Sequence, residues 1–379
     1  MNMKSLKWLF LLFLVGTSLT ACIPSLANQP TSGNVPTSTI TFVETDQFPT
    51  VSVSPTASPS TSLTMWAEWP VASFPSFAAW SPDSQLVVFS GPGTDQLPAW
   101  AILLDIPARQ VIWQTNDLIS HPVFSPDGQY IVGTTNQIQF WNVADGQLAE
   151  ASERSGFIFL TDFIPDGLAL VVGATSLFQP EESPSSDIGI WDRDQARLTN
   201  IARLDGLLWS MDINGDGTLL ATGLTDIPNV EEDRRVFLWE YPSMEKRCDL
   251  PGQSARFGGN SQVVAISDNN GEISLFDVQT CQIMATVQSR ATALYGTVNF
   301  SLSPDGNTLA FESLHCCTVE FFDLSTETII YEQDLLGKQI AFLAFSPDGK
   351  YLLSTVTDTS GPSENVQTLQ IWKVDLSSR

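Results

Sequence analysis

Phe345-Ser346-Pro347-Asp348-Gly349-Lys350-Tyr351-Leu352-Leu353 sets a large apolar residue, a four-residue turn and an aliphatic run in direct succession. Pro presets φ at the second turn position, Asp suits the third, and Gly accepts the positive φ that closes a type I turn with a bulge. The segment therefore predicts a tight β-hairpin. It is not alone. Ser81-Pro82-Asp83-Ser84, Ser125-Pro126-Asp127-Gly128 and Ser303-Pro304-Asp305-Gly306 repeat it, and Ile164-Pro165-Asp166-Gly167, Asn214-Gly215-Asp216-Gly217 and Gly258-Gly259-Asn260-Ser261 are worn versions. The aligned Asp or Asn positions 83, 127, 166, 216, 260, 305 and 348 lie 44, 39, 50, 44, 45 and 43 residues apart. That is the interval of a four-stranded propeller blade.

Each copy supplies the remaining strands. An apolar residue precedes every turn (Trp80, Phe124, Phe163, Ile213, Phe257, Leu302, Phe345). A third strand ends in an aromatic-acidic pair or a relative of one: Leu104-Asp105, Trp141-Asn142, Trp191-Asp192, Trp239-Glu240, Phe276-Asp277, Phe322-Asp323, Trp372-Lys373. A fourth strand, such as Gln110 to Gln114 or Thr328 to Tyr331, leads to the next copy. The expected fold is all-β, a seven-bladed β-propeller of four-stranded antiparallel blades over residues 63–379. The seventh copy stops after its third strand, at Val374. Residues 63–69, with Met65, Trp66 and Trp69, precede the first turn by the distance that lets them pair with Gln370 to Val374. Such pairing closes the ring and leaves no open blade edge.

On these turns and third-strand pairs the chain resembles the WD-repeat family. Within it the likeness is to the divergent bacterial kind marked by a Pro-Asp turn, such as the propeller of the Tol system's periplasmic protein. The resemblance spans about residues 63 to 375 and implies a fold, not an activity, because propellers host many unrelated functions. The chain departs from eukaryotic WD repeats in having only His121 and His315 and no Gly-His dipeptide. The family's Asp-His-Ser-Trp hydrogen-bond tetrad is therefore not carried over.

Residues 1–22 read as a secretory signal: Lys4 and Lys7, an apolar stretch from Trp8 to Val15, then Leu19-Thr20-Ala21-Cys22, which matches the bacterial lipobox. The apolar stretch is short for a membrane span. The expectation is cleavage before Cys22 and lipidation there, against an ordinary secretory signal that happens to hold a Cys. By resemblance to bacterial lipoproteins, Cys22 would carry enough hydrocarbon for stable anchoring. Residue 23 is Ile rather than the Asp associated with inner-membrane retention, which favours the outer membrane of a two-membrane envelope. Residues 23–62 are rich in Ser, Thr and Pro, with Glu44 and Asp46 as their only charges. They read as a disordered tether that spans roughly 35 Å root mean square.

The formal charge is −25, and loss of Lys4 and Lys7 leaves 15 basic against 42 acidic side chains, about −27. So acidic a chain lacks the basic patch that nucleic acid and anionic bilayers both require. Membrane contact is expected through the lipid anchor only. The charge also suits divalent cations or a basic partner. Cys248 and Cys281 fall in or beside the fourth strands of successive blades, where they either pair or stay free. His315-Cys316-Cys317 lacks the spaced ligand pairs of a zinc site, and reads as a vicinal disulfide or two free thiols.

Three constellations are candidate sites. The hairpin joining second and third strands is short in blades 2, 5 and 6 but long in blades 1, 3, 4 and 7, over about 91–98, 176–187, 225–235 and 356–368. These connections share one rim and carry Asp95, Glu181, Glu182, Asp187, Asp226, Glu231, Glu232, Asp233, Asp358 and Glu364, with Arg234 and Arg235 as local exceptions. Long loops on a rigid scaffold are where recognition is placed, although tolerated surface insertions look the same. The second constellation lies two residues before each turn on the innermost strands, where Asp162, Asp212 and Arg256 put a charge in three consecutive blades. They line a channel that grips a polar ligand, or form an inter-blade ion network, the reading favoured here. The third is Asp212-Ile213-Asn214-Gly215-Asp216-Gly217, half of a calcium loop. Its second half fails, because Gly223 stands where an EF-hand needs Glu. Alignment with the neighbouring turns makes turn chemistry the simpler account of Asp212, Asn214 and Asp216.

No G-x-S-x-G elbow, H-E-x-x-H pair or phosphate loop is present. The expectation is a membrane-anchored extracytoplasmic scaffold, not an enzyme and without a cofactor, whose long-loop rim binds a protein or an envelope glycan. The alternatives are a calcium-dependent ligand-binding lipoprotein and an envelope glycan hydrolase with a carboxylate pair.

Overall fold

A computed structural model describes residues 62–71, 77–92, 99–134, 137–152, 158–167, 169–176, 185–225, 234–268, 270–289, 299–313, 318–335, 338–358 and 366–376. The signal segment, Cys22, the tether and His315-Cys316-Cys317 lie outside them. The described residues form seven four-stranded antiparallel sheets, a seven-bladed β-propeller. Blade 1 is Phe77–Trp80, Leu86–Gly91, Trp100–Asp105 and Gln110–Thr115. Blades 2 to 6 repeat that order, from Val123–Phe124 through to Thr328–Asp334. Blade 7 takes Lys338–Phe345, Tyr351–Asp358 and Val366–Asp375 from the end of the chain and its outermost strand, Ser62–Val71, from the beginning. Leu63 pairs with Val374 and Trp69 with Leu369, so the ring closes as the sequence implies.

The turns hold themselves and then one another. Ser81 Oγ donates to Asp83 Oδ1 at 2.6 Å and accepts the Leu86 N–H at 2.8 Å, while Asp83 Oδ1 accepts the Gln85 N–H at 3.0 Å. Blades 2, 6 and 7 reproduce the set through Ser125 and Asp127, Ser303 and Asp305, Ser346 and Asp348. In blade 4, Asn214 stands in for Ser, its Oδ1 accepting Leu219 N–H at 2.8 Å. Neighbouring turns pack together around the ring: a Cβ on Gly259 of blade 5 would lie 2.4 Å from the Pro304 carbonyl of blade 6. At the closing seam the Asp348 N–H donates to Ser84 Oγ at 3.0 Å. Ser84 accepts a φ of 62° to present that hydroxyl, which explains why this copy lacks Gly.

Apolar clusters fill the seams between blades. Val88, Leu103, Phe124 and Trp141 bridge blades 1 and 2, and Phe140, Phe163, Leu170 and Trp191 bridge blades 2 and 3. Cys248 and Cys281, left open by the sequence, form a disulfide between blades 4 and 5 with their Cα atoms 5.8 Å apart. Part of the tetrad also survives. Trp239 Nε1 donates to Thr222 Oγ1 at 2.8 Å, and Trp372 Nε1 to Ser354 Oγ at 3.0 Å. In each case the hydroxyl lies two residues beyond the second-strand residue that pairs with the Trp, Leu220 and Leu352 respectively. Two residues beyond Ile131 and Leu170, the partners of Trp141 and Trp191, that position holds Gly133 and Val172, and both of those indole N–H groups are buried without an acceptor among the described residues.

At the seam of blades 6 and 7 one carboxylate is buried. Glu312 is 8% exposed, on a strand sealed on both faces, and its Oε2 accepts from Asn299 Nδ2 at 2.9 Å. Burial pushes its carboxyl up to about 7, and the amide bond only partly opposes this.

Two outcomes follow. Replacing Thr222 by Val leaves the Trp239 N–H unpaired and should cost about 1–2 kcal/mol in urea unfolding. Val172→Thr gives Trp191 its missing acceptor, so it should be more stable than the control Val171→Thr by about 1 kcal/mol. For Glu312, the folded state holds its proton above the pH at which the unfolded chain has lost it. The Glu312 contribution is thus full below about 4.5 and lost as pH rises through about 7. Glu312→Gln should match the wild type near pH 4 and exceed it at pH 8, by on the order of 2–3 kcal/mol in unfolding free energy.

Candidate functional site

Strand direction alternates within every blade, so the turns joining first to second and third to fourth strands share one face of the ring. The opposite face carries the second-to-third connections and the links from blade to blade. The connections of blades 1, 3, 4 and 7 run from Gly91 to Trp100, Ser176 to Ser185, Thr225 to Arg235 and Asp358 to Val366. Those of blades 2, 5 and 6 need only span Thr134 to Ile138, Ser267 to Glu272 and Ser313 to Thr318. All four long connections are therefore rooted on one face.

Of the rim acids, Asp95, Glu181, Glu182, Asp226, Glu231, Glu232, Asp233 and Glu364 lie outside the described residues. The strands reach further than the sequence implies at two of them. Asp187 sits within Ser185–Asp192, between Ala174 and Arg203 in the sheet. Asp358 ends Tyr351–Asp358, opposite Lys338 and Val366. At the base of the blade 4 connection, Arg235 Nε donates to Asp249 Oδ1 at 2.7 Å, which fixes one of the two local cations.

On the innermost strands the three charges act through the backbone. Asp162 Oδ2 accepts the Ile213 N–H of blade 4 at 3.2 Å, and its Oδ1 accepts the Phe163 N–H at 2.8 Å. Asp212 Oδ2 accepts the Phe257 N–H of blade 5 at 2.7 Å. Ser301 does the same between blades 6 and 7, taking the Phe345 N–H at 3.0 Å. Each acceptor thus ties its own blade to the residue just before the next blade's turn. Arg256, which has no acceptor to offer, instead donates from Nη1 to the Ala255 carbonyl at 2.9 Å. Among the described residues none of the three forms an ion pair. Sequence reasoning found the positions but not this bonding, because a backbone N–H leaves no trace in residue identity.

The electrostatics follow from enclosure. Burial and then the nearby Asp212 charge push the Asp162 carboxyl up to about 7, and burial raises Asp212 against the opposing pull of Arg256. His121, whose ring lies tilted against Phe77 with centroids 4.2 Å apart, is held down to about 4 by burial and by Arg256, and so is neutral. Asn214 and Asp216 do not converge with Asp212 as cation ligands. Asn214 Oδ1 takes the Thr218 and Leu219 N–H groups, and Asp216 Oδ1 takes the Thr218 N–H and hydroxyl. Among the described residues no three His, Cys, Asp or Glu side chains are grouped as a metal would need.

Sequence reasoning missed Trp209. It is 40% exposed on the innermost strand Leu207–Ile213, at a bulge between Leu208 and Ser210. The other large exposed apolar side chains among the described residues, Ile112, Leu148, Ile283, Met284 and Ile329, all lie on outermost strands. The available signal was a Trp in a segment, Leu207-Leu208-Trp209-Ser210-Met211, that has one more residue than simple alternation allows.

No protein-family model matches the chain. It is similar to two proteins named eukaryotic translation initiation factor 3 subunit I. The Schizosaccharomyces pombe protein is 23% identical over 209 residues, covering 50% of this chain and 60% of the relative. The Debaryomyces hansenii protein is 25% identical over 216 residues, covering 50% and 59%. A striatin homolog of Dictyostelium discoideum is 27% identical over 107 residues, 27% of this chain and 13% of the relative. The matches thus span less than two thirds of each relative's length. Together with the seven sheets, they make the fold of this chain that of a WD-repeat-like β-propeller.

Proposed function

We propose that the chain is a membrane-anchored extracytoplasmic scaffold whose loop-bearing face binds a protein partner. The observation that carries this reading is the rooting of all four long connections on one face of a rigid ring. Trp209 adds an exposed aromatic on the innermost strands, the kind of side chain that dominates binding energetics. The relatives support a protein partner, since two of them are by name subunits of a larger factor. The acidic connections suit a basic partner surface, which would be steered by charge.

The lipobox ending at Cys22 supports anchoring, and the Cys248–Cys281 disulfide supports an oxidising compartment. We read the ring as a platform rather than a catalyst, because Asp162 and Asp212 are both engaged by backbone N–H groups of the next blade. An envelope glycan remains the second class of ligand.

Affinity capture from cross-linked native envelopes tests the reading. The comparison is a variant whose 177–184 and 226–233 segments are replaced by Asn-Gly turns. One protein should be enriched with the native chain and lost with the variant, while circular dichroism shows the propeller intact. Enrichment that ignores both segments would refute the face. Cys22→Ala should move the chain from the membrane to the soluble fraction. Thiol labelling should find Cys248 and Cys281 blocked before reduction, and open thiols there would count against the compartment.

A further inference from the structure

A cleft of about 410 Å³ opens between the outer strands of blades 1 and 2, lined by none of the four long connections. Thr115, Asp117 and Leu118 form its blade 1 side, and Gln139, Trp141, Gly146, Gln147 and Leu148 form its blade 2 side. Its origin is visible in the strands. Gln139 and Trp141 alternate with Phe140 along Ile138–Asn142, so they share the face turned to blade 1, whereas Phe140 packs toward blade 3. The outermost strand of blade 2 is only Leu148–Ala151, and its short span leaves that face partly uncovered.

The wall beneath is fixed. Trp113 donates from Nε1 to the Val143 carbonyl at 2.7 Å, and its ring lies against the turn at Gly146. A Cβ on Gly146 would lie 2.6 Å from that ring, and the turn holds φ at +68°, so only Gly satisfies both demands. The polar groups are set and unspent. Thr115 Oγ1 donates to Asp117 Oδ2 at 2.7 Å, which orients the carboxylate and leaves Oδ1 without a partner among the described residues. The side-chain amides of Gln139 and Gln147 likewise have no partner among them.

We propose that this cleft binds an uncharged saccharide. Two amides and a carboxylate oxygen supply donors and acceptors in the mixture that vicinal hydroxyls need. Leu118, Leu148 and the edge of Trp141 offer apolar surface to a sugar's C–H face. The volume lies within the range of small-ligand sites and admits a disaccharide. Leu118 and Leu148 are the only aliphatic side chains in the lining, so a peptide would find no deep apolar anchor pocket here. The site uses none of the four long connections, so its failure leaves that reading untouched.

The test uses the whole mature chain and a panel of uncharged probes: maltose, cellobiose and N,N′-diacetylchitobiose. Saturation-transfer NMR and titration of tryptophan fluorescence should show saturable millimolar binding of at least one. Gln139→Ala, Gln147→Ala and Asp117→Ala change side chains outside the core and should each weaken it about tenfold, the loss of one good hydrogen bond. The variant with shortened 177–184 and 226–233 segments should bind unchanged. Absence of saturable binding to every probe overturns the proposal, as does binding that survives all three substitutions or vanishes with the shortened segments.

Discussion

The constraint on which everything else depends is a serine hydroxyl that both donates and accepts within one turn. Ser346 Oγ gives its proton to Asp348 and takes the Tyr351 N–H, so a single side chain fixes the turn and starts the second strand in register. Because the register of a strand pair decides which face every later side chain occupies, an error here would invert a whole blade. Seven hairpins, four of them locked by this serine, then meet head to tail. Asn260 Nδ2 reaches the Asp305 carbonyl of the next blade at 2.9 Å, and the Asp348 N–H reaches Ser84 across the closing seam. The repeat is therefore both the internal lock of each blade and the contact that sets the spacing between blades.

That double role explains how much could be read from residues alone. The turn needs particular side chains at particular places, so the seven copies, the blade count and the pairing of 63–69 with the last blade were all legible. The worn copy of blade 4 was legible for the same reason, since Asn214 keeps an oxygen where Ser had one. Harder to see was the bond from Trp239 to Thr222. Its rule is geometric, a hydroxyl two places beyond the paired residue, and it emerges only once the register is known. Looking for an intact tetrad hides a surviving half.

What stayed illegible shares a cause. Asp162 and Asp212 were visible as charges, yet their partners are the N–H groups of Ile213 and Phe257, about fifty residues away in sequence and anonymous in composition. Glu312 looked like one more acid among 42, and only the sealing of its strand on both faces sets it apart. Trp209 needed the bulge, and the cleft beside Trp141 needed the short outer strand of blade 2. Each of these is a property of neighbours that the fold, not the local sequence, brings together.

The seams between blades differ, and the difference bears on the loop-bearing face. Arg109 lies 3.9 Å over the Trp66 ring where blade 1 meets blade 7, and Arg193 lies 4.0 Å over Tyr130 where blade 3 meets blade 2. Between blades 4 and 5 the disulfide does this work, together with Arg247, which donates to Glu240 and to the Val278 carbonyl. Most of these cations lie on the face of the turns, whereas the long connections are rooted on the other. On the proposed reading, these cohesive contacts and the recognition surface lie on opposite faces. Among the described residues, none of these seam contacts is made by a residue of the four long connections. A partner that contacts several of them meets roots whose spacing is already set, so the ordering of the scaffold does not have to be repeated on binding.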